Sequence, residues 1–145
     1  MTNKEKLNAH IAKNGLRHTF ERDQMLQHIE TVNGHFTASE LIETFGKKEN
    51  VSNASIYRNL NLFVEAGIVT EHRFPVPETV YELTSRAITH CHRICTICGE
   101  VKEFRDAQVS SALKHHRFRA FKMHNSNVYV YGICKKCSTN KSTKQ

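Results

Sequence analysis

The chain has 145 residues, five cysteines and a formal net charge of +7, enough length for one domain or two small ones. No apolar run approaches the roughly 18 residues of a membrane-spanning helix, and the opening MTNKEKLNAHIAKNG lacks the apolar core of a signal peptide. With an odd cysteine count, reduced thiols in a cytoplasmic protein are expected rather than a disulfide framework. Residues 1–83 hold nine Lys/Arg against eleven Asp/Glu, and residues 84–145 hold twelve against three. The basicity therefore sits in the second half, and any argument for DNA binding by the first half must come from pattern.

In chain order, KEKLNAHIAKNG carries Leu7 and Ile11 four apart and stops at Gly15. TFERDQMLQHIETVNG offers Thr19 as an N-cap, Met25, Leu26 and Ile29 on one face, and Asn33-Gly34 as a stop. TASELIETFG pairs Thr37 with Glu40 as a capping box ahead of Leu41, Ile42 and Phe45. SNASIYRNLNLFVEAG starts at Ser52, turns Ile56, Leu60, Phe63 and Val64 inward, and closes at Gly67. Two β-prone runs around both prolines follow, in IVTEHRFPVPETVYEL. Helix, helix, short break, helix and hairpin is the order of a winged helix-turn-helix.

The second half reads as a small α/β unit. A strand is expected over about Glu100–Phe104, an amphipathic helix through Val109, Ala112, Leu113 and His116, and a strand in NVYVYGIC. The fold class is therefore α+β. A winged-helix domain is expected over 1–83, a hinge over 84–88, an α/β domain over 89–138 and a disordered tail over 139–145.

Cys95 and Cys98 form one C-x-x-C pair and Cys134 and Cys137 a second, separated by 35 residues. Such a turn brings two thiolates to about 3.7 Å, the spacing needed around one tetrahedral zinc. Two turns complete a closed four-sulfur shell with no open position, a structural and not a catalytic arrangement; free thiols or a redox dithiol are the alternative. On the fourth helix, Asn53, Ser55, Tyr57, Arg58 and Asn61 are left outside the core. They suit base reading and phosphate contact in the winged-helix context, or else form an ordinary solvated face. Arg17, ahead of the second helix, is a further candidate for the DNA backbone or minor groove.

GLRHTFER, GHFTASEL, ASIYRNLNLFVEAGIV, YEL, HCHRICTICGEVKEF and YGICKKC together resemble the ferric uptake regulator superfamily of bacterial metal- and peroxide-responsive repressors, over about residues 8 to 138. The resemblance implies a homodimer on an inverted-repeat DNA operator, with the C-terminal α/β domain as the dimerisation domain. It implies structural zinc on Cys95, Cys98, Cys134 and Cys137. It also implies a regulatory metal between the domains on His35, Glu82, His90, His92 and Glu103, closing the dimer onto its operator. Three imidazoles and two carboxylates suit Fe(II), with Mn(II) or Zn(II) as alternatives, and His90 and His92, two apart in an extended segment, face the same side.

Glutamates at 82 and 103 resemble the iron-sensing branch. Peroxide sensing by iron-catalysed histidine oxidation and zinc sensing are the other readings. An additional metal site found in some members is altered here, with Cys91, Ser110 and Ser126 at its positions and His124 displaced by two residues. Cys91 is read as a strand-packing residue or as a thiol oxidised or ligated beside a redox-active metal. His115 and His116 are read as helix-surface or packing residues. A zinc hydrolase would need an open coordination position and a Glu base. No H-E-x-x-H motif is present, so the chain is not read as an enzyme and no small-molecule substrate is expected. A zinc-bound interaction module that never touches DNA is a third possibility, which salt-dependent operator binding would exclude.

Overall fold

Thr2 opens the first helix, α1 (Asn3–Lys13), with a capping box: its hydroxyl accepts from the Glu5 amide while the Glu5 carboxylate accepts from the Thr2 amide. The structure, a computed structural model, describes residues 1–139. Helix α2 (Phe20–Thr31) is capped by Thr19, whose hydroxyl accepts from the Arg22 amide. Strand β1 (Phe36–Thr37) runs into α3 (Ala38–Leu41), which carries the Thr37/Glu40 capping box and passes directly into a π-helical turn over Ile42–Gly46. Helix α4 (Asn53–Glu65) begins at the Ser52 cap. It ends in a Schellman-type turn: the Ile68 amide donates to the Phe63 carbonyl at 2.9 Å and the Gly67 amide to Val64 at 3.0 Å. Gly67 holds φ +75° there, a value that L-residues adopt at a cost.

Strands β2 (Val69–His72) and β3 (Val80–Leu83) complete an antiparallel sheet in the order β1–β3–β2. One core joins Leu7 and Ile11 of α1, Met25 and Ile29 of α2, Leu41 and Phe45, Ile56, Leu60 and Phe63 of α4, and Val69 and Leu83 of the sheet. This is the winged-helix unit.

The remaining elements are α5 (Thr84–Ala87), β4 (Cys91–Cys95), β5 (Val101–Phe104), α6 (Ala107–His115), β6 (Tyr129–Gly132) and α7 (Lys135–Thr139). The second sheet runs β5–β4–β6, with β4 antiparallel to β5 and parallel to β6. Asp106 caps α6 by accepting from the Gln108 and Val109 amides at 2.9 and 3.1 Å. The amphipathic pattern of α6 does not bury it: no residue of the helix is buried within the chain.

Two compact units result, one of Met1–Arg73 with Glu78–Thr84, the other of Phe74–Pro77 with the chain from Ser85. The division departs from a simple break at residue 83, because the hairpin tip Phe74–Pro77 belongs to the second unit. Within that unit Phe74 packs on the rings of His92 and Tyr129, with centroids 5.3 and 5.9 Å away. Gly99, at φ +77°, lies so close to the Pro75 carbonyl that a Cβ would stand 3.0 Å from its oxygen. The segment expected as a hinge, 84–88, contains the helical turn α5. Of the expected tail, Thr139 closes α7, and the rest lies outside the described residues.

Candidate metal centres and the outer face of α4

The four cysteines gather at one end of the second sheet, where the parallel strands β4 and β6 both finish. Cys95 ends β4, Cys98 follows in the turn, Cys134 lies two residues beyond β6, and Cys137 sits in α7. Parallel pairing of Cys95 with Gly132 brings Cys134 alongside, and its amide donates to the Cys95 sulfur at 3.3 Å. The Cys98 and Cys134 sulfurs are 3.9 Å apart, and all four lie within 4.8 Å of one another. Sulfur–sulfur spacings near 3.7 Å are what a tetrahedral ion with bonds of about 2.3 Å requires, so the donor set fits such an ion with small adjustments. The Cys134 and Cys98 amides hold the Cys95 thiol down to about 6. Burial, then the neighbouring thiols, pushes Cys137 up to about 12. A cation bound among these sulfurs would favour all four thiolates.

In the winged-helix unit, pairing of Phe36 with Tyr81 places His35 across from Glu82. His35 Nε2 lies 3.3 Å from Glu82 Oε1. The Glu82 side chain is wholly buried, and a buried carboxylate needs partners that offset its lost hydration. In the second unit, β4 and β5 pair His92 with Glu103. His90 Nε2 lies 3.4 Å from Glu103 Oε1, and the His90 and His92 ring centroids are 4.7 Å apart. Each unit thus carries its own group of imidazole and carboxylate: His35 with Glu82, and His90 and His92 with Glu103.

Sequence reasoning missed two polar residues. His72, wholly buried in β2, has Nε2 2.6 Å from Glu82 Oε1. Between Glu71 and Arg73 it reads as one more strand residue; only the pairing of Thr70 with Glu82 reveals that it shares a face with the glutamate. Asn59, buried on α4, accepts from Arg22 Nε at 3.2 Å. Cys91, Ser110, His124 and Ser126 line one cavity of about 380 Å³ in the second unit. Among the described residues they gather no third donor into metal reach.

On α4, Asn53, Tyr57, Arg58 and Asn61 are exposed and Ser55 half-buried, opposite the buried Ile56, Leu60 and Phe63. Arg17 is also exposed, and its carbonyl accepts from Arg22 Nη1 at 2.5 Å.

A sequence model of the ferric uptake regulator family matches residues 13–131. The chain belongs to the ferric uptake regulator family. It is 37 % identical over 134 residues to the ferric uptake regulation protein of Shigella flexneri, covering 88 % of this chain and 87 % of that one. Among solved structures it is similar to the ferric uptake regulator of Pseudomonas aeruginosa with manganese, at TM-score 0.70 and 30 % identity, covering 88 % of this chain and 97 % of that one. It is also similar to the Francisella tularensis regulator with iron, at TM-score 0.58 and 26 % identity, covering 86 % and 96 %. Family members are metal-dependent regulators of transcription, and that is the class to which this chain belongs.

Proposed function

We propose that this member of the family is a metal-gated, homodimeric transcriptional repressor of the iron-sensing type. Cys95, Cys98, Cys134 and Cys137 would hold a permanent structural zinc, closing the sheet of the second unit. His35 and Glu82 from one unit, with His90, His92 and Glu103 from the other, would hold the exchangeable regulatory ion. The observation that carries this reading is that each unit holds its own cluster of imidazole and carboxylate, His35 with Glu82 in one and His90 and His92 with Glu103 in the other. When bound, a divalent cation there supplies a cross-link between the units. The imidazoles and carboxylates would act as the jaws, each fixed by its own sheet register, so that loading restricts the orientation of α4 on DNA.

Iron sensing is favoured by the Shigella flexneri relative, named for ferric uptake, and by glutamate at both 82 and 103, which offers hard oxygen donors beside three nitrogens. Manganese and iron accompany the two related structures, and both accept such a set. On α4, Asn53, Ser55, Tyr57 and Arg58 would contact the operator, with Arg17 on its backbone. Dimerisation would cover the second unit, where α6 buries nothing and Phe121, Val130, Tyr131 and Ile133 are about half or more exposed.

The test is a DNA-binding titration with Fe(II), Mn(II) and Zn(II) while metal per chain is counted. One tight zinc and one exchangeable ion per chain are expected, with operator affinity rising roughly 10- to 100-fold on loading of the second. A His90→Ala/His92→Ala protein that binds DNA as tightly as wild type, with or without added metal, would overturn the reading.

A further inference from the structure

His72 lies in no expected ligand set, yet its imidazole stands closer to Glu82 than that of His35 does. Its Nε2 stands 2.6 Å from Glu82 Oε1, against 3.3 Å for His35 Nε2. A carboxylate oxygen only accepts, so the His72 Nε2–H donates. The two rings flank the glutamate from opposite strands: Glu82 lies on the central strand β3, His35 adjoins β1, and His72 belongs to β2. Their centroids are 5.5 Å apart.

The exposures of the two rings separate their roles. The His35 side chain is 26 % exposed and the His72 side chain 0 % exposed. The outer ring reaches solvent, whereas the inner one is held in place by β2 pairing on its backbone and by enclosure around its ring. We infer that His72 is a positioning residue for the regulatory site: its Nε2–H pins one oxygen of Glu82 and so fixes the plane in which the carboxylate is presented to a divalent cation. The inference rests on Glu82 being a ligand, as proposed above. It assigns His72 no contact with the ion itself. Hydrogen-bonded partners of ligating carboxylates and imidazoles set ligand orientation, and their removal commonly weakens binding 10- to 100-fold.

The experiment is a Co(II) titration of the full-length, zinc-loaded protein, read by absorption of the d–d bands. His72→Gln places an amide donor close to where Nε2 stood, while His72→Asn reaches only as far as the near ring nitrogen. The expected result for His72→Asn is a 10- to 100-fold loss of Co(II) affinity with shifted bands, at unchanged zinc content and far-UV spectrum. His72→Gln should recover most of both. Wild-type affinity and bands in His72→Asn, or a His72→Gln protein no better than His72→Asn, would overturn the inference.

If His72→Asn does not fold, ring ¹⁵N resonances of the wild-type protein decide. The His72 Nε2–H bond should persist between the metal-free and Zn(II)-loaded regulatory site, and its loss on loading would overturn the inference. His35→Ala, titrated in parallel, separates the two failures. If it keeps wild-type Co(II) affinity, the proposed regulatory site itself falls. If it loses affinity while the His72 variants do not, only the positioning role falls.

Discussion

Cys137 and Glu78 show how far single groups here depend on their neighbours. Burial and the adjoining thiols push the Cys137 thiol up, and a bound cation would favour its thiolate. If the four sulfurs hold the proposed zinc, its chelation, or Cys137→Ser, should loosen the second unit and abolish the proposed dimer, read by near-UV dichroism and analytical ultracentrifugation; a dimer that survives either change would contradict a structural role. Glu78 accepts from both the hydroxyl and the amide of Ser39 at 2.6 and 3.0 Å, and these bonds, the hydroxyl first, hold its carboxyl below the ordinary 4.5. A depressed folded value stabilises above the unfolded value and is lost as pH falls through the folded one. Glu78→Gln should thus lower the urea midpoint near neutral pH, and the gap from wild type should narrow as the pH is taken below 4.5. A gap constant with pH would assign the effect to packing.

The elements explain which parts of the chain were legible from sequence. The caps at Thr19, Thr37 and Ser52 were legible because a hydroxyl ahead of a free helical amide has one favoured use; the Thr2 cap of α1 was not read from the sequence. Paired C-x-x-C turns likewise announce convergence, since the turn itself sets the sulfur spacing. His72 and Asn59 were illegible because their partners, Glu82 and Arg22, are set by strand register and helix packing and not by local spacing. The exposure of α6 was hidden for a different reason: its stripe is apolar, but in the proposed dimer the surface that would cover it belongs to a second copy.

Helix α4 presents Arg58 on its exposed outer face. If its outer face meets DNA phosphate, Arg58→Ala should weaken binding evenly across operator sequences and lower the salt slope by about 1. An unchanged slope in a salt titration of DNA binding would place Arg58 off the DNA. Gly67→Ala tests the terminus of the same helix. Forcing φ +75° on a residue with a Cβ should cost about 1 kcal/mol of unfolding free energy, and an unchanged denaturation midpoint would show that the turn relaxes.

At the scale of the whole molecule, the two units have different metal logic. The second unit has few buried side chains, chiefly on β4, so a four-sulfur clamp supplies order that its core does not. The winged-helix unit has a full apolar core, and under the proposed function its His35–Glu82 pair would respond to an ion and not hold the fold. Among the described residues no helix is long and apolar enough to cross a membrane.

The central claim is that one exchangeable ion, held by donors from both units, gates DNA binding. It is tested most directly by fluorescence anisotropy on a DNA duplex selected from a random pool by the Mn(II)-loaded protein. Wild type is compared with His90→Ala/His92→Ala, both carrying one zinc per chain. The account predicts that Mn(II) tightens binding by wild type roughly 10- to 100-fold and leaves the double variant unmoved at the weak, metal-free value. Equal tightening in both proteins, or strong binding by both without Mn(II), would contradict it.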